Sequence, residues 1–347
     1  MDILKELERF GCEQLVICRD PASGLSAVIA IHNTKLGPAL GGCRMWPYAS
    51  AELAVTDALR LAKGMTYKAA VSGLRYGGGK AVIIGDPATD SKEALFRAFG
   101  RYVQHLQGRY ITGIDLGTTV QDMDWIQIET EYVTDVTGSL GSFGEYTAEM
   151  TAYGVFLGIK ASVGNVFGSE ILKDMTAAVQ GLGKVGFFLC RYLHEAGAQL
   201  IVTDIHEGRL NRVVSAFGAR AVAPAKIYGQ VCDVFAPCAL GGVINDQTLA
   251  LLKCKIVAGA ANNQLAEERH GDALHSLGIL YAPDYVINAG GIITTAADLE
   301  GYDAAYAKQR VAHISRTIAR VFHTAEAQGI APSASADRMA EELLGKA

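Results

Sequence analysis

The sequence predicts an α/β protein of two domains flanking a cleft, the first built on a mixed sheet and the second on a doubly wound parallel sheet. Three observations carry this expectation. The chain has 347 residues, half of them hydrophobic, enough to fill two cores of ordinary size. Its first part passes from a β-rich hairpin pattern into long helical periods. From Met175 onward, short apolar strands alternate with helical stretches, the order a parallel sheet requires. The expected division is 1–135 for the first domain, with helices at about 325–347 returning to it, and 136–324 for the second.

Residues 13–32 read as a hairpin, EQLVICRD and LSAVIAIH joined by PASG. LGPALGGCRMWPY follows and brings Gly41 and Gly42 together, which permits close backbone approach to a ligand and equally a β-bulge. Ser50 reads as an N-cap with Glu52 in the first turn of a helix that carries Val55, Leu59, Ala62 and Met65 inward. Lys68 lies on the flank of Leu61 and Met65, and Lys80 follows Gly77, Gly78 and Gly79 to open the apolar run AVIIG. A straight helix would hold the two lysines ~18 Å apart, so convergence needs the chain to turn back around the three glycines. The plain alternative is a pair of surface lysines, Lys68 snorkelling and Lys80 gating a strand. A helix from Lys92 to Leu106 and the strand YITGI come next. Asp115 stands where that strand ends, as a reacting carboxylate or as the cap of the next helix. Residues 137–154, TGSLGSFGEYTAEMTAYG, read as a glycine- and serine-rich hinge.

The strand MTAAVQ then runs into Gly181-Leu-Gly183-Lys-Val-Gly186, the helix FFLCRYLHEAG follows, and QLIVTD ends at Asp204. A lone GxGxxG is weak; set between strand and helix, with an acid at a strand end about 20 residues on, it is the fingerprint of a Rossmann-type dinucleotide-binding domain. Gly181 makes the tight turn, Gly183 admits the pyrophosphate to the backbone and helix N-terminus, and Gly186 allows close helix packing. Asp204 can accept hydrogen bonds from ribose hydroxyls and would repel a 2′-phosphate, so NAD is expected over NADP; the neighbouring His206 and Arg209 act against that preference. Strands at CDVFAPCA and KIVAGAA end in APCALGG and AANNQL, where ligands bind in open α/β sheets. Asn262 offers both donor and acceptor, or caps a helix. YVINAGG leads into a helical stretch from about Ile292 to Gln328.

A formal charge of −5 with both signs scattered offers no basic stripe for nucleic acid and no polybasic membrane patch. The N-terminus is charged and amphipathic rather than a signal peptide, and no apolar run approaches the ~20 residues of a membrane span. A cytoplasmic protein is expected. Seven cysteines without a CxxC pair suit reduced core thiols, and eight histidines without clustered spacing give a metal site little support.

Read together, GGCRMWPY (41–48), GMTYK, GGGK, YITGIDLGTT (110–119), TAYG, the nucleotide loop, APCALGG, AGAANNQL and YVINAGG resemble the amino acid dehydrogenases of the leucine, phenylalanine, valine and tryptophan group, relatives of glutamate dehydrogenase. The wording is most similar to the leucine dehydrogenases and covers nearly the whole chain. The resemblance implies NAD-dependent, reversible oxidative deamination of a hydrophobic L-amino acid to the 2-oxo acid and ammonia, by a homo-oligomer between dimer and octamer. It implies Lys80 as general base and Asp115 as proton carrier. Lys68, with the backbone near Gly41 and Gly42, would meet the substrate carboxylate, and Asn262 the substrate. Leu40, Gly113, Ile292 and Thr295 would line the side-chain pocket. Thr151, Lys184, Val185, Ile205, Cys238, Ala239 and Asn288 would join the glycine loop and Asp204 around NAD. A lysine base must give up its proton, which burial beside a second cation favours.

Leucine-type members tend to carry alanine where this chain has Gly113, so the resemblance also implies a roomier pocket and some aromatic acceptance. Two departures stand out: Thr147-Ala148-Glu149 in place of a proline-containing segment, and Thr294 in place of an asparagine. The alternatives are a phenylalanine- or tryptophan-preferring enzyme of the same group, a 2-hydroxy acid dehydrogenase, and a catalytically inactive NAD-binding regulatory protein.

Overall fold

The computed structural model describes residues 2–89, 92–142 and 145–345; Phe143 and Gly144, within the expected hinge, lie outside the described residues. Contacts divide the chain into two units. One comprises Met1–Gly144, Thr295–Asp303 and Ala340–Ala347, the other Glu145–Thr294 and Ala304–Met339. The first unit therefore runs to 144 rather than 135. Of the stretch expected to return from about 325, only the part from Ala340 belongs to it, joined by Thr295–Asp303.

In the first unit α1 (Ile3–Phe10) precedes a hairpin of β1 (Gln14–Asp20) and β2 (Leu25–Asn33), turning through Gly24 at φ 75°. β3 (Ala39–Leu40), β4 (Cys43–Trp46) and α2 (Ala51–Val71) lead to β5 (Gly77–Ile84). β3 and β4 both pair in parallel with β5, Ala39 opposite Gly77 and Cys43 opposite Ala81. The register is thus unbroken across Gly41 and Gly42, which removes the β-bulge reading. α3 (Glu93–His105), β6 (Tyr110–Ile111) and α4 (Val120–Gln127) complete the unit. β2 is antiparallel to β5 and β6 parallel to β3, so the sheet is mixed, as expected.

Strand alternation sorts the two faces. Ala81 and Ile83 join Phe96, Phe99, Met123 and Ile126 in a core under α3 and α4. Val82 joins Ala54, Val55, Ala58, Leu59 and Ala62 of α2 on the other side, and Lys80, two residues before Val82, shares that α2 face. Ser50 caps α2 as expected, its side chain accepting the Leu53 N–H at 3.3 Å. Each large side chain α2 buries, such as Leu59, contributes roughly 1.5–3 kcal/mol. The chain turns back after α2 at Gly73, φ 64°, where Leu74 N–H reaches the Ala69 carbonyl. The expected turn at Gly77–Gly79 is corrected: those glycines are the first residues of β5, where side chains would collide with neighbours. A methyl at Gly78 would lie 2.1 Å from the Thr66 nitrogen of α2.

The second unit opens with α5 (Tyr146–Phe167), so the expected hinge segment is helix from Tyr146 onward. Then come β7 (Thr176–Gln180), α6 (Lys184–Glu195), β8 (Gln199–Thr203), α7 (Glu207–Phe217), β9 (Arg220–Ala221) and β10 (Val234–Pro237). They are followed by α8 (Asp246–Leu249), β11 (Ile256–Val257), α9 (Arg269–Ser276), β12 (Leu280–Tyr281) and α10 (Asp284–Ile287). The sheet order is β12-β11-β10-β7-β8-β9, every neighbour parallel. This is the doubly wound order, with its reversal between β7 and β10. The helical stretch expected from Ile292 to Gln328 consists of three helices, α11 (Gly290–Leu299), α12 (Ala304–Ala312) and α13 (Ile314–Gln328), the first break at Gly301 with φ 78°. α14 (Pro332–Gly345) ends the chain's described part.

Of the two departures from the resembling group, Glu149 and Thr294 find partners within the fold, while the Thr147 hydroxyl oxygen is buried with no hydrogen-bond partner among the described residues. Glu149 on α5 accepts hydrogen bonds from Arg191 and, at 3.1 Å, from the Tyr192 hydroxyl of α6. The buried Thr294 hydroxyl donates to the Gly290 carbonyl one turn back, at 2.9 Å. All seven cysteines are free thiols. Among the described residues no helix is long and apolar enough to cross a membrane.

Candidate active site

Tyr110 to Asp115 run extended beside β3 and β4, with the Cys43 N–H donating to the Gly113 carbonyl at 2.8 Å and Ile114 bridging Cys43. Tyr110 and Ile114 pack into the core under α3 and α4, so alternation turns Gly113 and Asp115 to the α2 face, where Lys80 stands. The chain then turns through Gly117, φ 82°, and the Asp115 N–H donates to Thr118 Oγ1 at 2.9 Å. Thr119, not Asp115, caps α4, in a capping box with Asp122. The Asp115 carboxylate is therefore free of helix duty.

That carboxylate accepts from Lys80 Nζ at 3.1 Å and from Arg44 Nε at 2.9 Å. Arg44 also donates through Nη1 to Asp57 of α2 at 2.9 Å, and the Tyr48 hydroxyl donates to the same Asp57 oxygen. Burial by itself would raise the Asp115 carboxyl, but the charges of Lys80 and Arg44 and their hydrogen bonds outweigh it and hold it at about 2. Lys80 and Lys68 are both buried, at 4 % and 8 % exposure, so neither is a surface lysine.

Gly41 and Gly42 have a packing reason. A methyl at Gly41 would lie 1.8 Å from the Gly79 carbonyl oxygen, and one at Gly42 would lie 2.5 Å from that of Ile114. The Gly41 N–H donates to the Ile111 carbonyl at 3.1 Å, and the Gly41 carbonyl accepts the buried Tyr110 hydroxyl at 2.6 Å. The Gly41 N–H is therefore used inside the sheet. Leu40 is buried at the end of β3.

Gly113 also departs from expectation. The space its missing methyl leaves is filled by Asp135, whose Oδ2 would lie 2.6 Å from that methyl, with Thr134 Cγ2 at 2.8 Å. Asp135 is buried and accepts the Ile114 N–H at 3.0 Å. Burial pushes its carboxyl up to about 6, opposed by the Ile114 N–H, reinforced by Asp298 and opposed again by the Thr295 hydroxyl. Thr295 thus sits beside Asp135, in the same unit as Gly113. Asn262 and Ile292 belong to the second unit.

In that unit Gly181 adopts φ 94° against Ala239, and a methyl at Gly186 would lie 2.0 Å from the Gly181 carbonyl, the tight turn and close packing expected. Gly183 caps α6 without a side-chain hydrogen bond, and a methyl there would meet nothing within 4 Å. The helix start is therefore open to an anion. Lys184 and Val185 form its first turn, Lys184 Nζ 3.9 Å from Glu145. Asp204 braces the loop by accepting the Leu182 N–H at 2.6 Å and the His206 N–H at 2.7 Å, with Ile205 exposed beside it. The Cys238 N–H donates to the Gln180 carbonyl at 2.7 Å, and the Thr151 hydroxyl to Thr147. Asn288 Nδ2 donates to the Ala260 carbonyl at 3.0 Å and to Asn262 Oδ1 at 2.9 Å. Asn262 is not a helix cap, since α9 starts only at Arg269. Asn288 Oδ1 is buried with no hydrogen-bond partner among the described residues, an acceptor waiting for a donor. An open helix N-terminus, a braced acid and an orphaned acceptor fit a dinucleotide. Among the described residues no cluster of His, Cys, Asp and Glu could hold a metal.

Residues 12–132 match the family described as Glu/Leu/Phe/Val dehydrogenase, dimerisation domain, and residues 202–336 the family Glutamate/Leucine/Phenylalanine/Valine dehydrogenase. The chain is 57 % identical to leucine dehydrogenase of Bacillus subtilis (strain 168), over 99 % of this chain and 94 % of the relative. The chain belongs to the glutamate/leucine/phenylalanine/valine dehydrogenase family. Phenylalanine dehydrogenase of Bacillus thermotolerans is 49 % identical over 96 % of this chain and 88 % of the relative. The crystal structure of L-tryptophan dehydrogenase from Nostoc punctiforme superposes with a TM-score of 0.83 at 45 % identity, covering 99 % of each chain.

For this member of the dehydrogenase family, sequence reasoning missed Arg44, Asp57 and Asp135. Arg44 lies inside the motif GGCRMWPY, and an arginine next to a glycine pair beside apolar residues was a signal. Its partners stand 13 and 71 residues away, a separation no local pattern bridges.

Proposed function

We propose that this amino acid dehydrogenase catalyses the reversible, NAD-dependent oxidative deamination of a hydrophobic L-amino acid, leucine or a related branched aliphatic, to the 2-oxo acid and ammonia. The observation that carries the reading is the Lys80–Asp115–Arg44 array, with its lysine buried and its other two members half-buried, on one face of the first unit's sheet. Relatedness to leucine dehydrogenases supports the substrate class. The cofactor is held by Gly181, Gly183 and the α6 N-terminus through Lys184, Val185 and Gly186, by Asp204 and Ile205, and by Thr151, Cys238, Ala239 and Asn288. When bound it supplies a hydride acceptor for the hydrogen on the substrate's α-carbon.

The protein's own residues do the rest. Lys68 balances the substrate carboxylate from its buried position on α2. Asp115, ionised at neutral pH because its carboxyl is held at about 2, accepts a proton from the substrate ammonium and so frees the amine lone pair. After the α-hydrogen leaves, Lys80, having released its ammonium proton to solvent beside the bound substrate, takes a proton from water as the oxygen bonds to the imine carbon. Asp115 returns the proton it took to the nitrogen of the water adduct, Lys80 Nζ, 3.1 Å from Asp115 Oδ2, passes its own proton to Asp115, and as the C–N bond breaks Lys80 takes the hydroxyl proton, leaving the 2-oxo acid and ammonia. Arg44 fixes the Asp115 carboxylate and is itself fixed by Asp57. Asn262, held by Asn288 within the second unit, is the further residue that the resemblance assigns to the substrate. Leu40, Gly113 and Thr295 of the first unit line the side-chain pocket, to which the resemblance also assigns Ile292.

A phenylalanine- or tryptophan-preferring enzyme of the same family is the second reading, favoured by the relatives of those types. The family description of residues 12–132 as a dimerisation domain supports a homo-oligomer. A panel of L-amino acids and 2-hydroxy acids, each with NAD and NADP and followed by NADH absorbance, tests the reading. Leucine with NAD is expected to give the highest kcat/KM. Turnover of no substrate would leave a nucleotide-binding protein without catalysis.

A further inference from the structure

Asp135 has no part in the mechanism above, yet its position is costly to maintain. Its φ of 62° lies in the left-handed region that residues other than glycine rarely adopt. It is 8 % exposed. Two glycines make room for its carboxylate: a methyl on Gly113 would lie 2.6 Å from Oδ2, and one on Gly141 would lie 2.2 Å from Oδ1. Its hydrogen bonds come from neutral donors, the Ile114 N–H at 3.0 Å and the Thr295 hydroxyl. The charged group acting on it is Asp298, of like sign, and among the described residues no cation pairs with it. Buried carboxylates are ordinarily paired.

Its place relative to the reacting groups follows from the strand. Gly113 and Asp115 face the same side of the extended segment, so the carboxylate that fills Gly113's space lies on the Lys80 face. At the rise of an extended chain, positions 113 and 115 are about 6.6 Å apart. A substrate held at its α-carbon by Lys80 and Asp115, with its side chain running along this face toward Gly113, meets Asp135 at the end of a side chain of ordinary length.

We propose that Asp135 is a specificity-determining residue that admits, beside aliphatic side chains, the terminal ammonium of a basic L-amino acid of about ornithine length. This rests on the amino acid dehydrogenase reading. A substrate cation would supply the partner that the fold withholds, and a side-chain carboxylate such as that of glutamate would be repelled.

Ornithine and norleucine have side chains of equal length that differ in a terminal ammonium against a methyl. The test measures kcat/KM for both, with NAD, in the unmodified enzyme and in Asp135→Asn and Asp135→Gly. Asparagine keeps the shape and removes the charge; glycine suits the left-handed backbone and decides the matter if the asparagine variant does not fold. Measurable ornithine oxidation by the unmodified enzyme is expected, and the ornithine-to-norleucine ratio should fall about tenfold or more in either variant. A carboxylate that served only to hold its own turn would lower both substrates together and leave the ratio where it was. Oxidation of leucine and norleucine without any of ornithine, or a ratio unchanged in the variants, overturns this inference alone. An unmodified enzyme that oxidises no amino acid overturns the parent reading and this one with it.

Discussion

Gly113→Ala adds one methyl at a place the fold has already filled. Without movement the new carbon would stand 2.6 Å from Asp135 Oδ2 and 2.8 Å from Thr134 Cγ2. Ordinary carbon contacts begin near 3.5 Å, so the carboxylate must retreat by roughly 0.9 Å. Its hydrogen bond from the Ile114 N–H, 3.0 Å long, then stretches past the useful limit. Overpacking of this kind costs ~1–3 kcal/mol and the weakened bond about 1 kcal/mol more, so a loss of about 2–4 kcal/mol is expected. The assay is urea unfolding of wild type, Gly113→Ala, Asp135→Gly and the double variant. Because the collision is chiefly with Asp135, the methyl should cost at least ~1 kcal/mol less in the Asp135→Gly background, a coupling typical of touching residues. A Gly113→Ala protein as stable as wild type, or an equal loss in both backgrounds, would refute the packing described here. The same variants bear on specificity: room for an aromatic substrate at position 113 depends on where Asp135 goes, so the leucine-to-phenylalanine ratio should respond to Asp135→Gly as well as to Gly113→Ala.

Three further outcomes follow from the same geometry. Lys80→Ala should lower kcat by at least ~10²-fold while NAD affinity, read by fluorescence titration, stays within about twofold; near-normal turnover would remove Lys80 as the base. Asp204→Ser should narrow the preference for NAD over NADP in kcat/KM, since a carboxylate opposing a 2′-phosphate costs several kcal/mol where solvent is scarce; equal use of both cofactors by the unmodified enzyme would refute the assignment. Asp115 has a folded value of about 2 against the ordinary 3.8, so its ionisation contributes about 2 kcal/mol that is fully present above pH ~4 and lost as pH falls toward 2. Asp115→Asn should therefore unfold more readily than wild type at pH 7, with the gap closing between pH 4 and 2, and a gap independent of pH would contradict the pairing with Lys80 and Arg44.

The nucleotide loop was fully legible because its chemistry is local: strand, three spaced glycines, helix and acid follow one another within a single βαβ unit. The Ser50 cap and the periodic face of α2 were legible for the same reason. Glycine runs were not. Gly77–Gly79 can make a turn or can let backbones approach, and only the position of Thr66 and Tyr110 decides for the strand. Arg44 escaped notice because its meaning depends on Asp57 and Asp115, and Asp135 because a left-handed backbone at a residue other than glycine leaves no mark in the sequence. Where the helical stretch over Ile292 to Gln328 first divides was marked by a visible signal: Gly301 follows Glu300 as a left-handed stop.

The two glycines beside β4 have a consequence for how this enzyme can be explored by mutation. Gly41 faces the Gly79 carbonyl and Gly42 the Ile114 carbonyl at distances that leave no room for any side chain. Every replacement there is rejected by folding before catalysis can judge it. In a library of point variants sorted once for intracellular abundance and once for turnover, positions 41 and 42 should be depleted equally in both sorts. Lys80 and Asp115 should instead be depleted more deeply for turnover than for abundance. Invariance at Gly41 and Gly42 among related enzymes would then record the closeness of three backbones, and would say nothing about contact with a substrate.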